Sequence, residues 1–428
     1  MVSGVWLILF GRASWGSVVD ETEGAVFLTG ATGFLGMELL ARYLEQTERR
    51  IYALVRGADE LEAHRRIQRT LLELFGPVHR YADRVVALRG DVTQVGMGIA
   101  PSIDRLAERV DEIVHCAAAV SFELPLEQSR VINVDGTRRI LEFAERCQAR
   151  GGLRRMSYIS TAYVAGEHAG CFSEDDLDHG QRFRNGYEQS KFEAECLVHR
   201  SLEELPITVF RPSIIVGEQH SGWTGSFNVL YWPLRVFSRG TYVALPGRHA
   251  APVDVVPVDY VADAVLALSR IPEAEGATFH LTAGTQASSV GELIELATRF
   301  FRRRVPWLVD PSVYHRAVHP MLLRGAQDER VRMALQRSEV YFPYFAMRVH
   351  FDDRRARVAL RGAGIATPPL ASYFDRLVRF AIASQWGRRR ITRATAMGHV
   401  RPQARQAPVA KDPHPRAAAQ PPASLIVR

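Results

Sequence analysis

Short apolar runs alternate with longer helical stretches from Ala25 onward, and this alternation constrains the fold more than any other feature of the chain. Unbroken apolar runs suit strands buried on both faces. Such strands, separated by helices, build a parallel sheet covered on both sides. Strands are expected at residues 25–30, 51–56, 85–90, 112–116, 155–160 and 207–211, with helices over 35–46, 61–74, 127–148 and 188–205. These units predict an α/β fold, a Rossmann-type doubly wound parallel sheet. After Arg211 the alternation breaks up. Residues 217–257 are rich in Gly, Trp, Tyr and Pro, and residues 305–385 are helical and aromatic-rich. Between them a strand is expected near 278–282, flanked by helices over 258–269 and 290–303. The expected organisation is an N-terminal arm (1–23), a Rossmann domain (24–285, with 217–257 contributing to the substrate side), a smaller C-terminal substrate lobe (286–385) and a disordered Pro/Ala/Arg-rich tail (386–428). No internal repeat is apparent.

The first strand runs straight into Thr29-Gly30-Ala31-Thr32-Gly33-Phe34-Leu35-Gly36, which opens the first helix. Glycines at these spacings let the backbone turn tightly, approach a pyrophosphate and pack helix on strand, with the phosphates at the helix N-terminus. A glycine-rich turn alone says little; between a strand and a helix it marks a dinucleotide site. The second strand ends at Arg56. An acid there would hold a ribose 2′-hydroxyl, whereas an arginine suits a 2′-phosphate. NADPH is therefore favoured over NADH, against the plainer reading of Arg56 as a surface residue. Asp91, after the third strand, falls near the adenine by position. Ala117 and Ala118, after the fourth, fall where the cofactor crosses the sheet edge.

Only two of the 54 basic side chains are lysines, Lys191 and Lys411. Lys191 stands four residues after Tyr187 in Tyr-Glu-Gln-Ser-Lys. Where arginine serves almost everywhere, a lone lysine in the body suggests a task arginine cannot do. Residues at i and i+4 share a helix face. An ammonium beside a phenol is expected to favour the phenolate, which would tune Tyr187 as a general acid near neutral pH. The plain alternative is a surface contact, but chance alone would supply only about 0.06 such spacings.

Charge excludes one class of function. Residues 386–428 hold nine basic groups against Asp412, so the net +7 of the chain leaves −1 for the rest. The body is no nucleic-acid binder by charge, and the tail has the charge for peripheral contact with an acidic lipid surface. Cys116, Cys147, Cys171 and Cys196 show no CxxC or metal spacing and read as reduced packing residues in a cytoplasmic protein. The 14 histidines form no metal-binding motif, so no metal is expected. No apolar run has the length of a membrane span, and Val5–Phe10 is too short, and lacks the preceding basic residue, to read as a signal peptide.

Together these residues resemble the extended short-chain dehydrogenase/reductase superfamily, and within it the fatty acyl-CoA reductase and thioester-reductase branch, the male-sterility-type domains. The resemblance rests on the glycine motif, on His115-Cys116-Ala117-Ala118-Ala119-Val120-Ser121-Phe122, on Asn133-Val134-Asp135-Gly136-Thr137 and on Ser160-Thr161-Ala162-Tyr163-Val164. Arg211-Pro212-Ser213, Gly222-Trp223, Val256-Pro257-Val258-Asp259 and Tyr341–Phe345 followed by Phe351-Asp352 also fit, over residues 24–380. The long helical link between Gly57 and Arg89 resembles the acyl-thioester reductases more than the sugar-nucleotide epimerases.

The resemblance implies a catalytic triad of Thr161, Tyr187 and Lys191. It implies cofactor contacts from Thr29, Gly30, Thr32, Gly33, Phe34, Leu35, Gly36, Arg56, Asp91, Ala117, Ala118, Asn133, Ser160, Tyr187, Lys191 and Pro212. Thr161 also reads as a strand-end cap, and Asn133 as support for a water chain behind the lysine. The implied activity is NADPH-dependent reduction of a fatty or related acyl thioester, carried by coenzyme A or an acyl carrier protein, in a site closed by the C-terminal substrate lobe. So apolar a substrate would add to any peripheral membrane contact. Hydride addition would give a hemithioacetal that expels the thiol and leaves an aldehyde, and a second addition an alcohol. Trp223, Phe227, Tyr231, Trp232 and Phe237 read equally as the wall of an acyl tunnel or as core, and Arg302–Arg304 as a solvated face or a coenzyme A contact. The rival functions are an extended dehydrogenase acting on a sugar nucleotide or steroid-like alcohol, and a non-catalytic NADP-binding protein. Oligomeric state and acyl chain length are not legible.

Overall fold

The computed structural model describes residues 24–99, 102–227 and 229–398. The N-terminal arm expected over 1–23 and the tail beyond 398 lie outside the described residues. The centre is a seven-stranded, wholly parallel sheet. Its strands are β1 (Ala25–Thr29), β2 (Arg50–Val55), β3 (Val85–Arg89), β4 (Val110–His115), β5 (Arg155–Ile159), β6 (Ile207–Pro212) and β7 (Thr278–Leu281). They lie in the order β7-β6-β5-β4-β1-β2-β3. β1, β4 and β6 are buried along their whole length; β1 is apolar up to Thr29, whereas β4 and β6 also bury Glu112, His115 and Arg211, each with a polar partner. The strand order reverses between β1 and β4, and ligands of such sheets bind at the carboxyl ends beside that point.

The covering helices include α1 (Phe34–Gln46), α2 (Glu60–Phe75), α3 (Leu126–Arg150), α4 (Gly186–Arg200), α5 (Val258–Leu268), α6 (Val290–Phe301) and α7 (Leu370–Ala383). Their starts are written locally: Asp59 caps α2, Asn185 caps α4 through the Glu188 amide, and Ser289 with Glu292 forms a capping box on α6. α4 ends at Arg200, five residues before the expected 205, and irregular turns cover 201–205.

Two expectations about the C-terminal third are corrected. Residues 354–360 do not stay in the C-terminal lobe: Ala356 and Leu360 pack into the same core as Val261 and Phe279, next to β7. The second lobe has its own core, which joins residues 216–255 to residues 290–381. Nor is the chain disordered from 386. Gln385, Trp386 and Gly387 take positive φ in succession (51°, 57° and 85°) and turn the chain back onto α1 and α2. At a residue other than glycine that conformation costs roughly 1–2 kcal/mol. The strap that follows is tied down by Arg390 to Glu73 (2.7 Å) and by buried Arg393 to Glu38 (2.7 Å) and Glu45 (3.3 Å). The Arg-rich composition suggested disorder because the acids that pair with it lie more than 300 residues away. All four cysteines are free, and Cys171 is exposed rather than packed.

Candidate active site

The glycine turn fits a pyrophosphate on backbone geometry alone. Gly30 has φ +77°, and a Cβ there would meet the Ala117 nitrogen at 2.8 Å. A Cβ at Gly36 would come within 2.0 Å of the Gly30 carbonyl oxygen. Gly33 caps α1 without any side-chain acceptor, so the first turn of that helix presents bare amides. Phe34 and Leu35 contribute backbone only: the Phe34 ring packs toward Trp223 (5.8 Å) and Leu35 is buried. Thr32 is exposed on the turn.

Thr29 faces inward instead. Its hydroxyl meets His115 Nδ1 at 2.8 Å and accepts from the Cys116 and Ala117 amides (3.2 and 3.1 Å), which welds the end of β1 to the end of β4. His115 Nε2 reaches Thr137 at 3.2 Å. Burial, and then the nearby Lys191, hold this imidazole down at about 3, so it is neutral. Arg56 is exposed at the end of β2, where its carbonyl accepts from Arg66 (2.8 Å). Asp91 accepts from the amide and hydroxyl of Thr93, both at 2.9 Å.

Asn133 of α3 joins two parts of the site. Its Oδ1 accepts from the Ala119 amide (2.8 Å), and its Nδ2 donates to Ser190 on α4 (2.9 Å). Ala117 and Ala118 lie on the short segment so held, between the glycine turn and α4. Ser160 points away from the cleft, into a buried hydrogen bond with Glu195, which Arg211 grips (2.8 and 2.5 Å). Burial alone would raise the Glu195 carboxyl, but Arg211, His199 and Ser160 together bring it down to about 2. Glu195 escaped sequence reasoning, although it stands four residues after Lys191 on the same helix face.

Thr161, Tyr187 and Lys191 meet at the carboxyl end of β5. Thr161 is both a cap and a partner. It accepts from the Tyr163 amide (3.3 Å) and donates toward the Pro212 carbonyl (3.4 Å), and it lies close enough to Tyr187 to influence that phenol. The expected softening of Tyr187 by Lys191 is corrected. Burial pushes the phenol up to about 12, against the Thr161 hydroxyl, which lowers it. Lys191 Nζ donates instead to the Ile159 carbonyl (2.8 Å) and the Tyr158 hydroxyl (3.1 Å), 4.5 Å from the centre of that ring. Burial draws Lys191 down to about 8, with Glu195 opposing. The Tyr187 phenol thus keeps its proton throughout the physiological range, and Lys191 is the group that titrates near it. Cys116 beside them is held protonated, burial raising it to about 12, and is no nucleophile.

Aromatic contacts lead from Tyr187 into the second lobe: to Phe122 (5.9 Å), from there to Tyr344 (5.2 Å), and on to Tyr163 (5.6 Å). Tyr344 also donates to Glu188 (2.7 Å) and accepts from Asn185 (2.8 Å), fastening this lobe to the start of α4. Tyr163 and Tyr344 line a narrow cavity of about 60 Å³ whose other walls include Leu234, Phe237, Leu293 and Ala297, with no charged side chain among its lining residues. Of the five aromatics read two ways, Phe237 lines this cavity, Trp223 and Tyr231 are core, Trp232 donates to Ser338 (3.2 Å), and Phe227 lines a different cavity. Arg303 donates to the Ser238 carbonyl (2.9 Å). Glu218, His220 and Asp259 cluster within 4.8 Å, but backbone amides at 219–221 already occupy both carboxylates. Among the described residues no helix is long and apolar enough to cross a membrane.

With this geometry in place, similarity to known proteins is informative. The family model described as "Male sterility protein" matches residues 28–265. Glycine betaine reductase ATRR of Emericella nidulans is 33% identical over 60% of this chain, which spans 21% of that protein. Fatty acyl-CoA reductase wat of Drosophila melanogaster is 30% identical over 57% of this chain and 54% of its own length. The chain thus spans only about half, or less, of these relatives. The solved terminal R domain of the myxalamid PKS-NRPS pathway superposes with a TM-score of 0.72 at 30% identity, over 85% of this chain and 92% of that one.

Proposed function

The chain belongs to the male sterility protein family of NAD(P)-binding, acyl and thioester reductase-like proteins, and from that premise we propose that it reduces an aliphatic acyl thioester with NADPH. The observation that carries this reading is the uncharged cavity joined by Phe122, Tyr344 and Tyr163 to the Tyr187–Thr161 pair. A sugar nucleotide would leave its hydroxyls unpaired against such walls, at a cost of about 1–3 kcal/mol each. An aliphatic chain loses nothing there. At roughly 10–15 Å³ per water-sized group, the cavity takes about four to six such groups. The carriers that relatives of this kind serve, coenzyme A and carrier proteins, are the expected sources of the acyl group.

The nicotinamide nucleotide, when bound, supplies the hydride. The glycine turn and the amides opening α1 would hold its pyrophosphate, and Arg56 would favour a 2′-phosphate by position. Tyr187 and Thr161 bind the thioester carbonyl oxygen, and Tyr187 gives its proton to that oxygen as negative charge develops. The hemithioacetal so formed loses thiol and leaves an aldehyde. Lys191 keeps a positive charge beside the pair below pH 8. Incubating the purified chain with NADPH and a panel of acyl-CoA and acyl-carrier thioesters, with mass spectrometry of the products, tests this. Aldehyde or alcohol from aliphatic thioesters is expected. NADPH left unoxidised by the whole panel would sink the proposal.

A further inference from the structure

We propose that the strap after α7 completes a second anion site, for the ribose phosphomonoester of an adenine nucleotide, with Arg69 of α2 and Arg389 of the strap as its charged walls. The inference rests on the reductase reading above and extends it to residues that no sequence motif marks. A cavity of about 420 Å³ lies between α1, α2 and the strap. Thr32 of the glycine turn lines it together with Arg66, Arg69, Arg389, Arg390 and Glu73. The one carboxylate of that lining is already taken, because Glu73 pairs with Arg390 at 2.7 Å. Arg66 is occupied by the Arg56 carbonyl. Arg69 and Arg389, both exposed, make no side-chain hydrogen bond or ion pair among the described residues. Two cations therefore face one cavity with no partner from the protein, next to the turn that fits a pyrophosphate.

The strap is built to hold Arg389 there. The three positive-φ residues at 385–387 reverse the chain, the Arg389 amide donates to the Ser384 carbonyl at 2.9 Å, and Arg393 anchors the far side on Glu38. A phosphomonoester is the group this charge suits, since arginine forks match its oxygens and a neutral ribose hydroxyl gains little from them. NADP carries such a group at the ribose 2′-position and coenzyme A carries one at the 3′-position. The shared chemistry is what the cavity recognises.

Titrating the full chain by calorimetry with NADPH, NADH, 2′,5′-ADP and 3′,5′-ADP separates the sources. Arg69→Ala and Arg389→Ala should each weaken NADPH and 2′,5′-ADP about tenfold and leave NADH unmoved, the equivalent of about 1.4 kcal/mol per arginine. A loss confined to 3′,5′-ADP supports the site and assigns the phosphate to coenzyme A. Both variants should melt at the wild-type temperature, because neither arginine has a protein partner to lose. Unchanged affinity for all four ligands in folded variants overturns the site while the reductase reading stands. Wild-type protein that binds none of the four overturns both.

Discussion

The two cavities show how one domain can separate two kinds of recognition. The cavity under Tyr163 and Tyr344 is narrow, walled by Leu234, Phe237, Leu293 and Ala297, and free of charge. It can select only by shape and by excluding water. The cavity beside Thr32 is several times larger and faced by arginines from α2 and the strap. It selects by charge, and salt should weaken what it binds. The first is built within the second lobe, from residues between 214 and 347, together with Tyr163. The second is built on the glycine turn, where cofactor groups are expected. If each cavity serves its own ligand, a change in one should move one ligand and spare the other.

The strongest test removes the proton donor. Tyr187→Phe should lower kcat by about 10²–10⁴, the usual worth of a positioned acid, with NADPH affinity largely retained. Stopped-flow oxidation and a nucleotide titration on the same sample check this, and full activity would end the role given to Tyr187. Next in size is the foundation of the strap. Glu38 is fully buried between Arg42 (2.5 Å) and Arg393 (2.7 Å). Glu38→Ala removes the acid that two buried guanidiniums share, leaving Arg42 with Asp263 and Arg393 with Glu45, and should cost about 1.5–3 kcal/mol in a denaturant melt. A loss under about 1 kcal/mol would mean that the strap is not held as described. On the apolar side, Ala297→Trp should fill the cavity and raise KM for longer acyl thioesters roughly tenfold or more, with two methylenes' worth of burial at about 0.8 kcal/mol each as the minimum lost. The same variant should leave NADPH affinity unchanged, and parallel losses for both ligands would erase the distinction between the cavities.

The smallest expected effect is on pH. Lys191 is lowered to about 8 while Tyr187 is raised to about 12. The required ammonium is present below pH 8 and is lost as pH rises through that value, whereas the phenol keeps its proton well beyond. A profile of kcat/KM should therefore fall above about pH 8, and Lys191→Arg should remove that limb. A limb unmoved by the substitution would assign it elsewhere.

Much of this site was legible because it depends on short spacings. The apolar runs that became β1 to β7, the glycine turn and the Tyr187–Lys191 spacing are all local patterns, and the family match and the parallel sheet agree with what they implied. Where a side chain points is another matter. Helical spacing put Tyr187 and Lys191 on one face of α4, but the ammonium follows the Ile159 carbonyl and Tyr158 hydroxyl at the end of β5, partners some 30 residues away. Ser160 and Thr161 are neighbours in sequence, yet one turns toward Glu195 and the other toward the Pro212 carbonyl.

The sequence by itself therefore determined the sheet, the turn that fits a pyrophosphate and the placing of Tyr187 and Lys191 on one helix, because backbone periodicity and glycine geometry act over a few residues. Only the tertiary structure decided how the donor is tuned, which walls meet the acyl chain and that residues 386–398 fold back onto α1 and α2. Burial, charge pairing and cavity shape arise between residues that only the folded chain brings together, such as Arg393 and Glu38.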